Sequence, residues 1–198
     1  MTRRTALRLS VLGGASMIAR TAIGCTHAAE PARLAAIPRF TLPLKIPPVL
    51  EPTVRTTAHD EYTIVQREAA QEILPGRVTK IWGYNGLFPG PTIRVRRNRL
   101  TVVHHTNQLP THTAVHLHGG VTPPDSDGFA TDVVVPGASR THTYPNRQRA
   151  ATLWYHDHAM DKTGENVFRG LAGFYIVEDD EEQTLPLPRG PFDVPLLF

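Results

Sequence analysis

Two closely spaced pairs of histidines are the residues of this chain best suited to chemistry. One residue separates His116 from His118, and one residue separates His156 from His158. If each pair lies on a β-strand, its two imidazoles point to the same face, roughly 6.6 Å apart, because strand side chains alternate. Two such pairs that face each other can hold a cluster of metal ions.

The type of ligand narrows the choice of metal. Neutral imidazole suits zinc, copper, iron and nickel, whereas thiolates favour zinc or Cu(I) and oxygen ligands alone favour magnesium or calcium. The chain contains a single cysteine, Cys25, which lies far from both histidine pairs in the sequence. Four histidines without a nearby thiol therefore favour copper or zinc.

The elements that must position the histidines are short alternating segments. Val115 and Leu117 alternate with His116 and His118, so the apolar side chains are predicted to face a core and the imidazoles to face outward. By the same alternation, Trp154 shares a face with the second pair. The two glycines that follow the first pair leave room for a metal or ligand to approach the backbone.

Eight segments are predicted to be strands because they are rich in β-branched and aromatic residues and are bounded by turn signals. They are 62–66, 78–82, 92–95, 100–105, 113–117, 140–144, 152–156 and 171–177. The 18 prolines and 15 glycines favour turns over long helices, and one helical turn is predicted near residues 166–171. Short, regularly spaced strands of this kind indicate a β-sandwich or a small barrel.

The basic charge of the chain belongs to its first 29 residues. The formal net charge is +3, but residues 1–29 carry four arginines and no acid, which leaves −1 for the remainder. Nucleic-acid binding therefore loses its main support.

We predict an export signal over residues 1–29, which would place the mature domain in the periplasm or outside the cell. Arg3 and Arg4 resemble a twin-arginine motif, and the apolar stretch Leu9–Ala19 is too short to span a bilayer. We therefore expect no transmembrane span in the mature chain. The alternatives are a basic start that stays attached and, less favoured than twin-arginine export, a lipid anchor at Cys25.

The remaining chain divides into three parts. Residues 30–54 are proline-rich and are predicted to be a linker or strap, residues 55–180 the folded domain, and residues 181–198 a linker with the start of a truncated second domain. The last expectation rests on the segment Phe192–Phe198, in which an apolar, strand-like run begins just before the sequence stops. The alternative is a terminal strand that packs on the domain.

The chain resembles the first cupredoxin domain of multicopper oxidases, especially the branch of spore-coat laccases and bilirubin oxidases. The likeness covers roughly residues 55–198 and lies in eight short motifs. They are Tyr84–Gly86, Pro89–Ile93, His116–Pro123, Asp125–Gly128, Leu153–Met160, Glu165–Asn166, Arg169–Tyr175 and Phe192–Pro195. The resemblance implies an all-β fold, a cupredoxin-like Greek-key sandwich or barrel, as a single domain behind the export leader.

The resemblance also implies a role for each matched residue. His116 corresponds to a ligand of a type 2 copper, and His118, His156 and His158 correspond to ligands of a type 3 copper pair. Asp127 corresponds to an acidic residue that helps to deliver protons to this trinuclear site. The other interpretation of Asp127 is a carboxylate that stabilises the turn before a glycine.

Five further polar residues carry weaker expectations. Asp157 either orients a neighbouring imidazole or caps the end of its strand. Four histidines match no ligand motif and are interpreted as ordinary polar residues of strands and loops: His104, His105, His112 and His142.

The activity that the resemblance implies is the reduction of O₂ to water with electrons from phenolic, aromatic-amine or metal-ion donors. In that family a type 1 copper, held by histidines and a cysteine, receives the electrons. That site and the other half of the trinuclear ligands lie around a His-Cys-His motif in a C-terminal domain, and this sequence has no such motif. We therefore expect half of a trinuclear site, no type 1 site, missing C-terminal cupredoxin domains as partners, and no activity of the chain alone.

Other functional classes fit less well. A non-catalytic copper-binding domain, either a remnant or a partner for another chain, shares every residue with the oxidase domain and stays open as the alternative. An electron-transfer cupredoxin needs the missing thiolate. A zinc hydrolase is disfavoured because its His-x-His motif is usually joined by an Asp-His pair a few residues on, and residues 122–125 contain no histidine.

Overall fold

The computed structural model describes residues 40–197 of the chain. Contacts divide the chain into two units, Met1–Pro43 and Leu44–Phe198, and the described structure belongs almost entirely to the second unit. The predicted export signal and Cys25 lie outside the described residues. None of the helices within the described part has the length and apolarity needed to cross a bilayer.

Short strands with brief connections make up most of this unit. The strands are β1 (Val54–Arg55), β2 (His59–Leu74), β3 (Arg77–Tyr84), β4 (Gly90–Arg96), β5 (Leu100–Asn107), β6 (Val115–His118), β7 (Ser139–Tyr144), β8 (Ala151–Asp157) and β9 (Ala172–Glu178). Two short α-helices, α1 (Thr163–Arg169) and α2 (Asp180–Thr184), and two 3₁₀ turns, Pro124–Ser126 and Gly190–Phe192, lie between and after them.

The strands form two sheets. One sheet has the order β1-β2-β5-β7, with β3 paired to β2 as a hairpin, and the other has the order β4-β9-β8-β6. The β2–β5 and β4–β9 pairs are parallel, and the other pairs are antiparallel. Two such sheets around one apolar core make a β-sandwich, so the all-β fold predicted from the sequence is confirmed.

The core contains inward-facing side chains from both sheets. Its buried members are Tyr62, Ile64, Tyr84, Ile93, Val95, Val103, Leu109, Val115, Leu117, Tyr144, Leu153, Tyr155, Leu171, Tyr175 and Val177. Most of these side chains follow the period-2 alternation of their strands, which is why the alternating segments of the sequence fold as they do. Each such burial contributes about 1.5–3 kcal/mol, so the core holds the outward-facing residues on a fixed support.

All eight predicted strand segments lie in observed strands or overlap them. The two-residue strand β1 was not predicted because it is too short to show alternation. Helix α1 begins at Thr163, earlier than the predicted turn, and ends before Gly170, whose φ of 127° breaks the helix. Residues 193–197 do not form the strand expected there.

The proline-rich segment reaches the second sheet at one point. Leu50 N–H donates a hydrogen bond to Thr92 O, and Thr92 N–H donates to Pro48 O, both at 2.8 Å. Residues 48–50 therefore lie along β4, as a strap would.

Two histidines are core residues, contrary to their interpretation as ordinary polar residues. His105 and His142 are 2 % and 0 % exposed, and their ring centroids lie 5.2 Å apart. Both ring nitrogens of His142 and Nδ1 of His105 have no hydrogen-bond partner among the described residues. Burial lowers the pKa of His142 to about 4 and holds the pKa of His105 well below its usual value.

The buried His142 is expected to make the domain sensitive to acid. An unfolded chain binds a proton at this histidine near pH 6.5, whereas the folded chain binds it only near pH 4, so stability falls as the pH drops between these values. The loss reaches about 3 kcal/mol at the lower limit. In urea unfolding at pH 7 and pH 4.5, His142→Asn should therefore show a smaller pH-dependent loss than the wild type. The partly exposed His112, changed to Asn, serves as the control, and equal losses in wild type and His142→Asn would contradict the prediction.

Candidate metal centre

The strands β6 and β8 place the two histidine pairs side by side. They are antiparallel neighbours, with His116 opposite His156 and His118 opposite Trp154. The alternation predicted for β6 is observed, since Val115 and Leu117 are buried between the sheets while the two histidines face outward. His158 follows the end of β8.

The four imidazoles come together as one group, which we call the histidine cluster: His116, His118, His156 and His158. One ring nitrogen from each of the first three lies within 4.8 Å of the others. The ring centroid of His158 lies 5.2 Å from that of His116 and 5.8 Å from that of His156. His158 therefore lies beside the other three rings, although it is outside the group of three close ligand nitrogens.

Hydrogen bonds to backbone carbonyls orient two of these rings. His116 Nδ1 donates to Asp127 O at 2.6 Å, and His156 Nδ1 donates to Asp157 O at 2.8 Å. A carbonyl oxygen can only accept, so the proton of each neutral ring sits on Nδ1 and Nε2 carries a lone pair. His118 instead presents Nδ1 to the cluster, at 3.3 Å from His156 Nε2.

Aromatic packing and burial further restrain the cluster. The ring of Trp154 stacks on His156 at a centroid distance of 4.0 Å and on His118 at 5.2 Å. Burial lowers the pKa of His156 to about 4, so this imidazole is neutral at neutral pH. A neutral, oriented imidazole whose Nε2 carries the lone pair is in the form that binds a metal ion.

The loop that carries Asp127 packs directly against β6. At Gly128, where φ is 76°, a Cβ atom would lie 1.9 Å from Val115 O, so this close approach requires glycine. The Asp127 carboxylate accepts a hydrogen bond from Thr122 Oγ1 at 2.9 Å and lies 3.6 Å from His116 Nδ1. The position of this carboxylate beside the cluster fits a role in proton delivery. Its hydrogen bond to Thr122 fits a role in stabilising the turn equally well.

The Asp157 carboxylate is directed to the backbone and to an amide side chain. One oxygen accepts from Ala114 N–H at 2.8 Å, and the other accepts from Ala159 N–H at 3.2 Å and from Asn166 Nδ2 at 2.8 Å. The residue is fully buried, and burial raises its pKa. These bonds join the end of β8 to the approach to β6 and to α1, which favours the strand-capping interpretation. The hydrogen bond from Asn166 to Asp157 was not predicted from the sequence, in which Asn166 was noted only for its motif with Glu165.

The donor set of the cluster fits copper. It consists of imidazole nitrogens with no thiolate among the described residues, and imidazole is a ligand type that copper and zinc both accept. The backbone carbonyls that accept from His116 and His156 supply the outer support that metal-binding histidines usually have.

The fold and the site together define a cupredoxin-like domain with a cluster of histidines suited to metal binding. A family model described as "Multicopper oxidase" matches residues 66–182. The chain belongs to the multicopper oxidase family, as its sequence motifs predicted.

Curated relatives and a solved structure support this assignment. The chain is 42 % identical to a laccase of Bacillus subtilis, with 81 % of this chain and 37 % of the relative covered. It is 41 % identical to a bilirubin oxidase of Albifimbria verrucaria, with 81 % and 30 % covered. A laccase structure from Pediococcus acidilactici matches with a TM-score of 0.73 and 35 % identity, with 79 % and 34 % covered. The chain thus spans about a third of the length of these proteins.

Proposed function

We propose that this chain is the N-terminal, copper-binding domain of a laccase-like multicopper oxidase. The observation that carries the proposal is the histidine cluster, in which three imidazole nitrogens from two neighbouring strands lie within 4.8 Å of one another. The laccase and bilirubin oxidase relatives support copper as the metal.

The four histidines receive separate roles in this proposal. His116 is assigned to a type 2 copper, and His118, His156 and His158 are assigned to a type 3 pair. Copper held here would supply electron transfer to dioxygen, with four electrons giving two waters. The division between the two sites is supported by the match of the His116–His118 and His156–His158 motifs to the multicopper oxidase family.

The surrounding residues prepare the ligands and supply protons. Asp127 O and Asp157 O keep the protons of His116 and His156 on Nδ1, so that the Nε2 lone pairs face the cluster. Trp154 stacks on the rings of His118 and His156 and restrains their orientation. The Asp127 carboxylate is 34 % exposed and adjoins His116, so it can exchange protons between solvent and the edge of the cluster.

The rest of the oxidase is assigned to parts beyond this domain. The one cysteine of the chain, Cys25, lies in the predicted leader, so the type 1 copper and the remaining trinuclear ligands are assigned to C-terminal cupredoxin domains. The names of the laccase and bilirubin oxidase relatives support a small aromatic electron donor, and a metal-ion donor is the alternative. We further propose export to the periplasm or beyond, on the basis of the leader sequence.

Copper loading of the purified chain tests this proposal. We expect the chain to bind Cu(II) through imidazole nitrogen, visible in its electron paramagnetic resonance spectrum, and to consume no O₂ with a chromogenic phenol. A matched His118→Ala variant should change the spectrum, whereas His112→Ala should not. Absence of copper binding would contradict the metal site, and sustained O₂ consumption by the chain alone would contradict its role as part of a larger site.

A further inference from the structure

A second group of metal-ligating side chains lies on the outer face of the other sheet. His59 and Glu61 are two residues apart on β2 and share its outward face, since Tyr62 and Ile64 of the same strand are buried. The neighbouring strand β5 runs parallel to β2 and contributes His104, whose register partner is Thr63. The two strands therefore bring both imidazoles to the same carboxylate from opposite sides.

His59 and His104 make the same two kinds of contact, one with Glu61 and one with a threonine hydroxyl. His59 Nε2 lies 2.8 Å from Glu61 Oε1, and His104 Nε2 lies 3.3 Å from Glu61 Oε2. The other ring nitrogen of each histidine contacts a threonine hydroxyl, with His59 Nδ1 at 3.2 Å from Thr56 Oγ1 and His104 Nδ1 at 3.0 Å from Thr141 Oγ1. Each ring is therefore held at Nδ1 and directs Nε2 to one shared acid.

This arrangement has the chemistry of a metal site with outer-shell support. Histidines that bind a metal through one nitrogen usually hydrogen-bond to an oxygen through the other. Two imidazoles and a carboxylate suit a borderline divalent ion such as Zn²⁺ or Cu²⁺. We propose that His59, Glu61 and His104 form a second metal site, on the surface, for a divalent cation of this class.

The neighbourhood favours a cation at this position. Arg55 and Arg99 pair with the adjacent residue Asp60, at 3.5 and 2.7 Å, while the Glu61 carboxylate contacts the two histidines. The backbone is also fixed, because Thr53 N–H and Oγ1 both donate to Glu61 O.

Three ligand atoms of His59, Glu61 and His104 do not yet lie within 4.8 Å of one another, so one ion must draw them together. The two Nε2 atoms approach different oxygens of Glu61, so binding a single ion requires a rotation of His104, and the 41 % exposure of this side chain permits it. Three protein ligands leave a fourth tetrahedral position to water, which favours reversible binding over a closed structural site.

Zinc titration of the full chain, followed by NMR of ¹⁵N-labelled histidine, tests the site directly. We expect the Nε2 signals of His59 and His104 to shift together as one ion binds. Glu61→Gln should weaken this response at least about tenfold, since it removes the charged ligand. Glu68→Gln, the same change elsewhere on β2, is the matched control and should leave the response intact.

The histidine cluster provides an internal reference in the same samples. Shifts confined to His116, His118, His156 and His158, with His59 and His104 unmoved at millimolar zinc, would overturn the proposal. Shifts of His59 and His104 that are equal in wild type and Glu61→Gln would overturn it as well. In each case the response of the cluster shows that the protein is folded, and the metal centre on β6 and β8 is assessed independently.

Discussion

Replacing Asp157 with alanine is expected to lower the free energy of unfolding by about 3–5 kcal/mol, because it strips the acceptor from three buried donors. The backbone N–H groups of Ala114 and Ala159 and the amide of Asn166 all donate to this carboxylate. Each buried donor left without a partner costs about 1–3 kcal/mol, and relief of the desolvated charge offsets part of the sum. Urea unfolding of the metal-free chain at pH 7 measures the loss.

Two further variants separate the capping role of Asp157 from a general effect of removing an acid. Asp125→Ala changes an exposed carboxylate in a nearby loop and should cost less than about 0.5 kcal/mol. Asp157→Asn keeps one acceptor oxygen and should fall between the other two variants. If Asp157→Ala costs no more than Asp125→Ala, the carboxylate does not hold the end of β8.

Much of the fold was predictable because it depends on local alternation. In β6, the apolar Val115 and Leu117 against His116 and His118 indicate both the strand and the face that the histidines occupy. The same rule applies in β8. Such patterns are visible in the sequence because each strand must bury one face and expose the other.

The burial of His105 and His142 was not predicted, although the alternation of their strands bears on it. His105 alternates with His104 and shares a face with the buried Val103, so its burial could be inferred from β5 alone. His142 lies between two threonines and shares a face of β7 with the buried Tyr144, so the same alternation marks its face. A polar residue in a core depends on packing from the opposite sheet, which local sequence does not record.

The details of the metal centre depend on contacts between distant parts of the chain. The resemblance to multicopper oxidases supplied the ligand set, but the nitrogen that each ring offers follows from hydrogen bonds to Asp127 O and Asp157 O. The first of these bonds exists because Gly128 lets its loop approach Val115 O. The sequence shows a glycine there without showing what it approaches.

The strand β8 links stability to metal binding. Its inward side chains, Tyr155 and Asp157, belong to the core and to the capping network, while His156 of the same strand belongs to the cluster and Trp154 stacks on it. A substitution on the core face of β8 can therefore displace the side chains of the cluster, and a substitution in the cluster can disturb the core. Variants of the cluster must for this reason be compared by metal affinity in samples whose folding is verified separately.

Replacing His156 with alanine is expected to weaken copper binding at the cluster by more than about 100-fold. Loss of an outer-shell partner of a metal ligand typically costs 10–100-fold, and here a ligand itself is removed. His156 is central to the group, since its ring lies within 5.8 Å of the rings of His116, His118 and His158. Competition with a chelator of known copper affinity measures the change.

The comparison should be made in a Glu61→Gln background, so that the surface site proposed on the other sheet does not contribute to the measured affinity. His112→Ala is the matched control, because it removes a partly exposed histidine outside the cluster and should leave the affinity unchanged. A loss of less than tenfold for His156→Ala, in protein that unfolds cooperatively, would mean that the remaining three histidines bind copper without it. The pairing of His116 with His156 across β6 and β8 would then position the strands without completing the metal site.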